Sequence, residues 1–137
     1  MEEEIDNKPE RYNSHPNGVE CCEYTDYMGF NIGNAFKYLF RLGHKGERNH
    51  ELGKAQWYVK RQYQVLNNKP KYILRDFEMA NNLKPPVPIP PDFRIDNEPL
   101  RSKALETLFA ISHNNTPVLD GLRYTNELIE RMLKGAL

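Results

Sequence analysis

Five prolines fall between residues 85 and 91, inside the string KPPVPIPPDF. Each lacks an amide proton and fixes its own φ, so no helix can run through them. The segment reads as polyproline II, rising about 3.1 Å per residue. Pro-rich segments also dock in aromatic grooves, but here a stiff spacer between two helical parts is the better reading. The chain is therefore divided into a longer part before the prolines and a shorter part after them.

Before the spacer, residues 1–11 are polar and charged and read as a flexible arm. The string YNSHPNG stacks turn formers, with Pro16 setting one dihedral and Gly18 free to take a positive one. A short helix is expected over Val19–Met28, closed by Gly29. The next starts at Asn31, a good N-cap residue, and runs to Leu42. Its buried face is Ile32, Ala35, Phe36, Leu39, Phe40 and Leu42, at spacings of three and four. After GHKGERN, a third helix covers His50–Asn67, with Leu52, Ala55, Tyr58, Val59, Gln62 and Leu66 inward. So short a connection implies an antiparallel hairpin. Another helical stretch is expected over Lys71–Leu83.

Past the prolines, Leu100, Ala104, Leu108 and Ile111 recur at helical spacing, as do Leu122, Leu128, Ile129 and Met132. They predict helices over Leu100–Ser112 and Asp120–Leu133. A lone helix pair buries too little surface to be stable, so this hairpin must pack on the first unit or on another copy of the chain. The fold class is all-α: a flexible arm at 1–11, a helical hairpin core at 12–83, a Pro-rich linker at 84–98 and a C-terminal helical hairpin at 99–137.

The 137 residues suffice for one domain with a core, and 19 basic side chains balance 19 acidic ones. No overall field draws the protein to duplex nucleic acid or a membrane surface, so any anion site must be local. No apolar run is long enough to span a bilayer, and the acidic start MEEEIDNKPE is unlike a secretory signal. The chain reads as cytoplasmic. Cys21 and Cys22 are its only cysteines, too few for a disulfide framework, and adjacent residues on a helix rarely converge on one metal. With the four histidines scattered, no metal site and no cofactor are assigned.

Asn34, Lys37, Tyr38 and Arg41 fall at i, i+3, i+4 and i+7, one face of a helix. Lys54, Trp57, Tyr58 and Arg61 repeat the arrangement on the third helix, and a hairpin can set the two faces side by side. Cations among aromatic rings suit a nucleotide, with charge for phosphate and a flat surface for a base. A solvated face with surface ion pairs to Asp26, Glu47 or Glu51 accounts for the same composition. The loop GHKG shifts the balance, because its two glycines let backbone approach a ligand, with His44 and Lys45 between them.

Catalytic templates are missing. GHKGERN is not a P-loop, and there is no Gly-x-Gly-x-x-Gly fingerprint, Gly-x-Ser-x-Gly elbow or His-Glu-x-x-His. Glu20, Glu23 and Asp26 form a modest acidic stripe that reads as a helix exterior. Binding is better supported than chemistry, and no catalytic residue is assigned.

The strings RYNSHPNGVECCEYTDYMGFNIGNAFKYLFRLGHKG and LGKAQWYVKRQ resemble the SaV-like family of small bacteriophage proteins. The shared pattern falls on Tyr12, Gly18, Glu20, Cys21, Phe30, Gly33, Asn34, Ala35, Lys37, Tyr38, Arg41, Gly43, Lys45, Leu52, Lys54, Ala55, Trp57 and Tyr58, within residues 11–62. Arg11 stands where the family often has histidine. The resemblance implies a phage origin, a mostly helical fold and homo-oligomers. It also implies a nucleotide ligand, since the family includes a nucleoside monophosphate kinase without a P-loop.

Two functions follow as expectations. In one, the protein sequesters a nucleotide, such as a cyclic oligonucleotide signal of host antiviral defence, without turnover. Lys37, Arg41, Lys45 and Lys54 then meet phosphates, Tyr12 and Asn34 hydrogen-bond, and Tyr38 or Trp57 stacks on a base. In the other it is a monophosphate kinase, with Glu20 or His44 orienting the acceptor. A helical host-interaction module is a weaker third.

Overall fold

The computed structural model describes His15 and residues 18–44, 46–68, 92–113 and 117–137. The arm, Tyr12, Lys45, the stretch Lys71–Leu83 and the proline run lie outside the described residues. Among those described there are five helices and no strand: α1 (Cys21–Thr25), α2 (Phe30–Phe40), α3 (Arg48–Asn68), α4 (Pro99–Ser112) and α5 (Val118–Leu133). The fold is all-α, as the periodicity requires.

Helix ends differ from expectation for local reasons. A capping-box contact opens α1, the Glu20 amide donating to Glu23 Oε2 at 2.9 Å. The helix unwinds after Thr25 into a turn, held by Tyr27 N–H to the Tyr24 carbonyl and Met28 N–H to that of Thr25. Gly29, expected as a stop, is instead the N-cap of α2. Asn31, expected as that cap, lies within the helix and donates its amide to Gln62 Oε1 at 2.9 Å. At the other end, Gly43 takes φ +92°, a conformation that favours glycine, and turns the chain toward α3.

The expected apolar faces are the buried ones: Ile32, Ala35, Phe36, Leu39 and Phe40 on α2, and Leu52, Ala55, Val59, Gln62 and Leu66 on α3. Tyr58 is only half-buried. The pairs Asn31–Gln62 and Arg41–Glu51 are nested along the two helices, so α2 and α3 run antiparallel.

The C-terminal hairpin packs on this pair, α5 against α3 and α4 against α2. Gln56 donates to Asn126 and Glu130, and Arg123 to the Tyr63 hydroxyl, which sets α5 antiparallel to α3. The Leu100 amide donates to the Leu137 carbonyl at 2.8 Å, tying the start of α4 to the chain end. Four helices thus form a closed ring of neighbours, α2–α3–α5–α4, around one core. Each fully buried Leu, Ile or Phe in it contributes roughly 1.5–3 kcal/mol.

An aromatic cluster fills one part of that core. The Tyr24 ring sits 4.8 Å from Phe93, 5.7 Å from Phe36, 5.9 Å from Phe109 and 6.3 Å from Phe40. This single residue pins the five-residue α1 to α2 and α4. His15, also buried, stacks on Phe40 at 5.0 Å. Residues 92–98, which the proline run led us to place with the linker, are anchored by the same cluster through buried Phe93.

A buried arginine also ties the hairpins together. Arg101, buried at the start of α4, donates Nε to the Leu39 carbonyl and Nη2 to that of Phe40, both at 2.6 Å. Its Nη1 meets Glu98 at 2.8 Å, and Glu98 also holds Arg48 at the start of α3. The last carbonyls of α2 have no partner within their helix and carry the negative end of its dipole, so a guanidinium satisfies both needs. Burial lowers the pKa of Arg101, and Glu98 opposes that shift.

Replacing Arg101 with Met strands two buried carbonyls and removes a charge-assisted bond. We expect a loss of about 3 kcal/mol by urea denaturation, whereas Lys103→Met, at an exposed position of the same helix, leaves the midpoint unchanged.

Candidate functional site

Arg41 ends α2 and is buried, as is Glu51 in the first turn of α3. Their side chains are 5% and 2% exposed, and Arg41 Nη2 lies 3.0 Å from Glu51 Oε1. The second carboxylate oxygen is 3.5 Å from Lys54 Nζ. Gly46, at φ +71°, backs onto this pair: a Cβ there would sit 3.6 Å from the Glu51 carboxyl carbon. Gly46 therefore lies against the Glu51 side of the ion pair, and His44 is exposed.

Above the pair lies the ring of Tyr38. Lys37 Nζ is 4.5 Å from its centroid, the Arg41 guanidinium 4.6 Å and Lys54 Nζ 5.4 Å. Three cations thus gather on one ring, and two of them, Arg41 and Lys54, share the Glu51 carboxylate, which leaves a local excess of positive charge in a chain that is neutral overall. The face of an aromatic ring attracts cations, and this offsets part of their mutual repulsion. Lys37 is further held by Asn34, whose Oδ1 accepts from Nζ at 3.1 Å while its amide donates to the Phe30 carbonyl at 2.8 Å.

Aromatic side chains extend the site along the hairpin. Tyr58 stacks on Tyr38 with centroids 6.1 Å apart and planes 16° apart. Phe30 and Trp57 each meet Tyr58 edge to face, at 5.9 and 5.0 Å. Phe30 is 76% exposed and Trp57 60%. The arrangement offers positive charge held in place beside flat apolar surface, which suits an anion attached to a ring.

The expected stripe is thus assembled in part: Asn34, Lys37, Tyr38, Arg41 and Lys54 converge, with Tyr58 stacked on Tyr38 and Trp57 at the edge, while Arg61, expected with them, is exposed further along α3. Their duties divide in a way that spacing did not show. Arg41 is an internal counter-ion to Glu51, Tyr38 is the ring that carries the cations, and Lys37 and Lys54 keep contact with solvent. His44 sits in the adjoining turn, and Tyr12 and Lys45 lie outside the described residues. Glu51 entered the sequence argument only as a surface partner, and Phe30 only through the family pattern. Extending the stripe back one turn from Asn34 reaches Phe30, but reading Asn31 as the N-cap left it outside the helix.

Beside this cluster, α1 carries a contrasting surface. Cys22 is exposed among Glu20, Glu23 and Asp26; what burial it has raises its thiol pKa most, and the Glu20 carboxylate adds to the rise. Burial pushes the Cys21 thiol up to about 12, with Cys22 adding and Lys37 and Arg41 opposing. Among the described residues, no group of three His, Cys, Asp or Glu side chains could hold a metal ion, and no helix is long and apolar enough to cross a membrane.

Residues 7–60 match the model of a protein family of unknown function, DUF3310. The matched stretch contains α1, α2 and the first part of α3, and so every described residue of the cluster. No curated protein and no solved structure matches the chain.

Two outcomes check this geometry. Glu51→Gln leaves Arg41 buried without its counter-charge and should cost about 3 kcal/mol or more in urea unfolding. Intact-mass analysis after iodoacetamide at pH 8 should show one adduct on the folded chain, at Cys22, and two in urea. Because the Cys22 pKa is raised, its thiolate is scarcer than that of an unhindered thiol at the same pH, so its labelling is slower and accelerates as pH rises.

Proposed function

We propose that the α2–α3 face binds a phosphate-containing nucleotide and holds it without turnover. The observation that carries this reading is the convergence of Lys37, Arg41 and Lys54 on the Tyr38 ring, with exposed Trp57 beside them. Lys37 and Lys54 meet the phosphate, and the Arg41–Glu51 pair holds the hairpin in the register that brings those lysines together. Binding relieves repulsion between the two ammonium groups, which is a favourable electrostatic term for an anion.

The absence of turnover rests on the chemistry of the cluster. Its free groups are ammonium ions, an amide and rings, which neutralise charge and offer surface. Its carboxylate, Glu51, is buried and committed to Arg41 and Lys54. The SaV-like resemblance adds a phage origin and a homo-oligomer, and in that setting the ligand we propose is a nucleotide signal of host defence such as a cyclic oligonucleotide.

Calorimetry against nucleoside mono- and diphosphates and cyclic dinucleotides tests the reading. At least one should bind, with an affinity that weakens as salt screens the site. Lys37→Ala and Lys54→Ala should each weaken it about tenfold, the value of one charge-assisted contact. ATP incubated with each deoxynucleoside monophosphate should be recovered unchanged. A flat response to the whole panel removes the proposal, and phosphorylated product replaces capture with catalysis.

A further inference from the structure

Between the end of α1 and the outer side of α2 lies a groove of about 220 Å³, lined by Met28, Phe30, Gly33, Asn34 and Lys37 among others. One wall is the Phe30 ring, left 76% exposed in a chain that buries most of its other phenylalanines. An exposed ring of that size beside a cavity is the kind of surface that marks a ligand site. The floor is Gly33. A Cβ added there would enter the groove and meet Met28 Cβ at 3.6 Å and Thr25 Cβ at 3.9 Å.

The groove is joined to the cationic cluster by one residue. Lys37 lines its end, and the same ammonium lies over the Tyr38 ring and is held by Asn34. Asn34 lines the groove as well. Its bond to the Phe30 carbonyl uses one amide hydrogen and its bond from Lys37 one oxygen lone pair, so a further donor and a further acceptor remain for a polar edge. The volume is below the roughly 300–1,000 Å³ of sites that enclose a whole drug-sized ligand, so it suits one ring system of a larger molecule.

We propose that this groove is the base subsite: the nucleobase lies over Gly33 against the Phe30 ring, its polar edge toward Asn34, while the phosphate attached to it reaches Lys37 and Lys54. The proposal rests on the phosphate reading of the cluster and adds what that reading lacks, a reason to prefer a nucleotide over any other phosphate.

The test compares ribose 5-phosphate with the four nucleoside 5′-monophosphates by calorimetry on the full chain. The groove requires at least one nucleotide to bind tenfold or more tightly than ribose 5-phosphate. It further requires Gly33→Ala and Phe30→Leu each to weaken that nucleotide severalfold. Neither change should unfold the protein, because the alanine Cβ makes only ordinary contacts and Phe30 is exposed; circular dichroism melts verify this. Equal binding of nucleotides and ribose 5-phosphate overturns the groove and leaves the phosphate cluster standing. So does a nucleotide affinity that survives both substitutions. If neither class of probe binds, the base subsite fails, and the cluster reading fails with it when the diphosphates and cyclic dinucleotides give no response either.

Discussion

The buried pair of Arg41 and Glu51 is the contact on which the hairpin geometry depends. Taking two charges out of water costs several kcal/mol per ion, and their attraction repays this only when the surrounding geometry is good. Here the surroundings are supplied by the Tyr38 ring at the guanidinium, by Lys54 at the second carboxylate oxygen and by Gly46 against the Glu51 carboxyl. With Arg41 at the end of α2 and Glu51 in the first turn of α3, a shift by a single residue would leave both charges buried and unmatched. The pair therefore sets the register of the hairpin. That register brings Lys37 and Lys54, on different helices, to the same ring.

Arg101 does for the second hairpin what Arg41 does for the first. It reaches the final carbonyls of α2 within one turn of Arg41, so both ends of the chain's helical packing are fastened at the same place. The four-helix ring is thus held by polar contacts at the end that bears the cationic cluster and by the Tyr24 aromatic cluster in the core. Rigidity at that end has a functional consequence. Lysines on flexible supports lose entropy when they grip an anion, whereas those held on packed helices lose less.

The helices and their inward faces were legible because apolar side chains at helical spacing have one stable arrangement, with the stripe inside. Cations are ambiguous in the same analysis. Arg41 occupies the same stripe whether its head is in water or in a buried pair, and only the meeting with Glu51, ten residues away and across a turn, decides between them. Phe93 was hidden for another reason: five prolines just before it outweighed one apolar residue, although packing against Tyr24 needs no helix. Arg101 has a local partner in Glu98, three residues earlier, but the two backbone carbonyls that bury it lie 61 and 62 residues earlier, and no local pattern shows them. Spacing shows what lies on one face; it does not show what that face meets.

Charge placement then argues for a small, compact anion over an extended one. The chain is neutral overall, and the acidic side chains Glu20, Glu23 and Asp26 stand on α1, next to the helix that carries Lys37. On the proposed reading, a long polyanion would extend its charge toward that acidic surface, whereas one or two phosphates at Lys37 and Lys54 would not. Under the proposed reading such a ligand would select the folded state, because only folding brings Lys37 and Lys54, from different helices, to the Tyr38 ring. On the proposed reading, ligand binding would stabilise the fold by mass action, by relieving the repulsion among the ammonium groups that the Arg41–Glu51 register gathers.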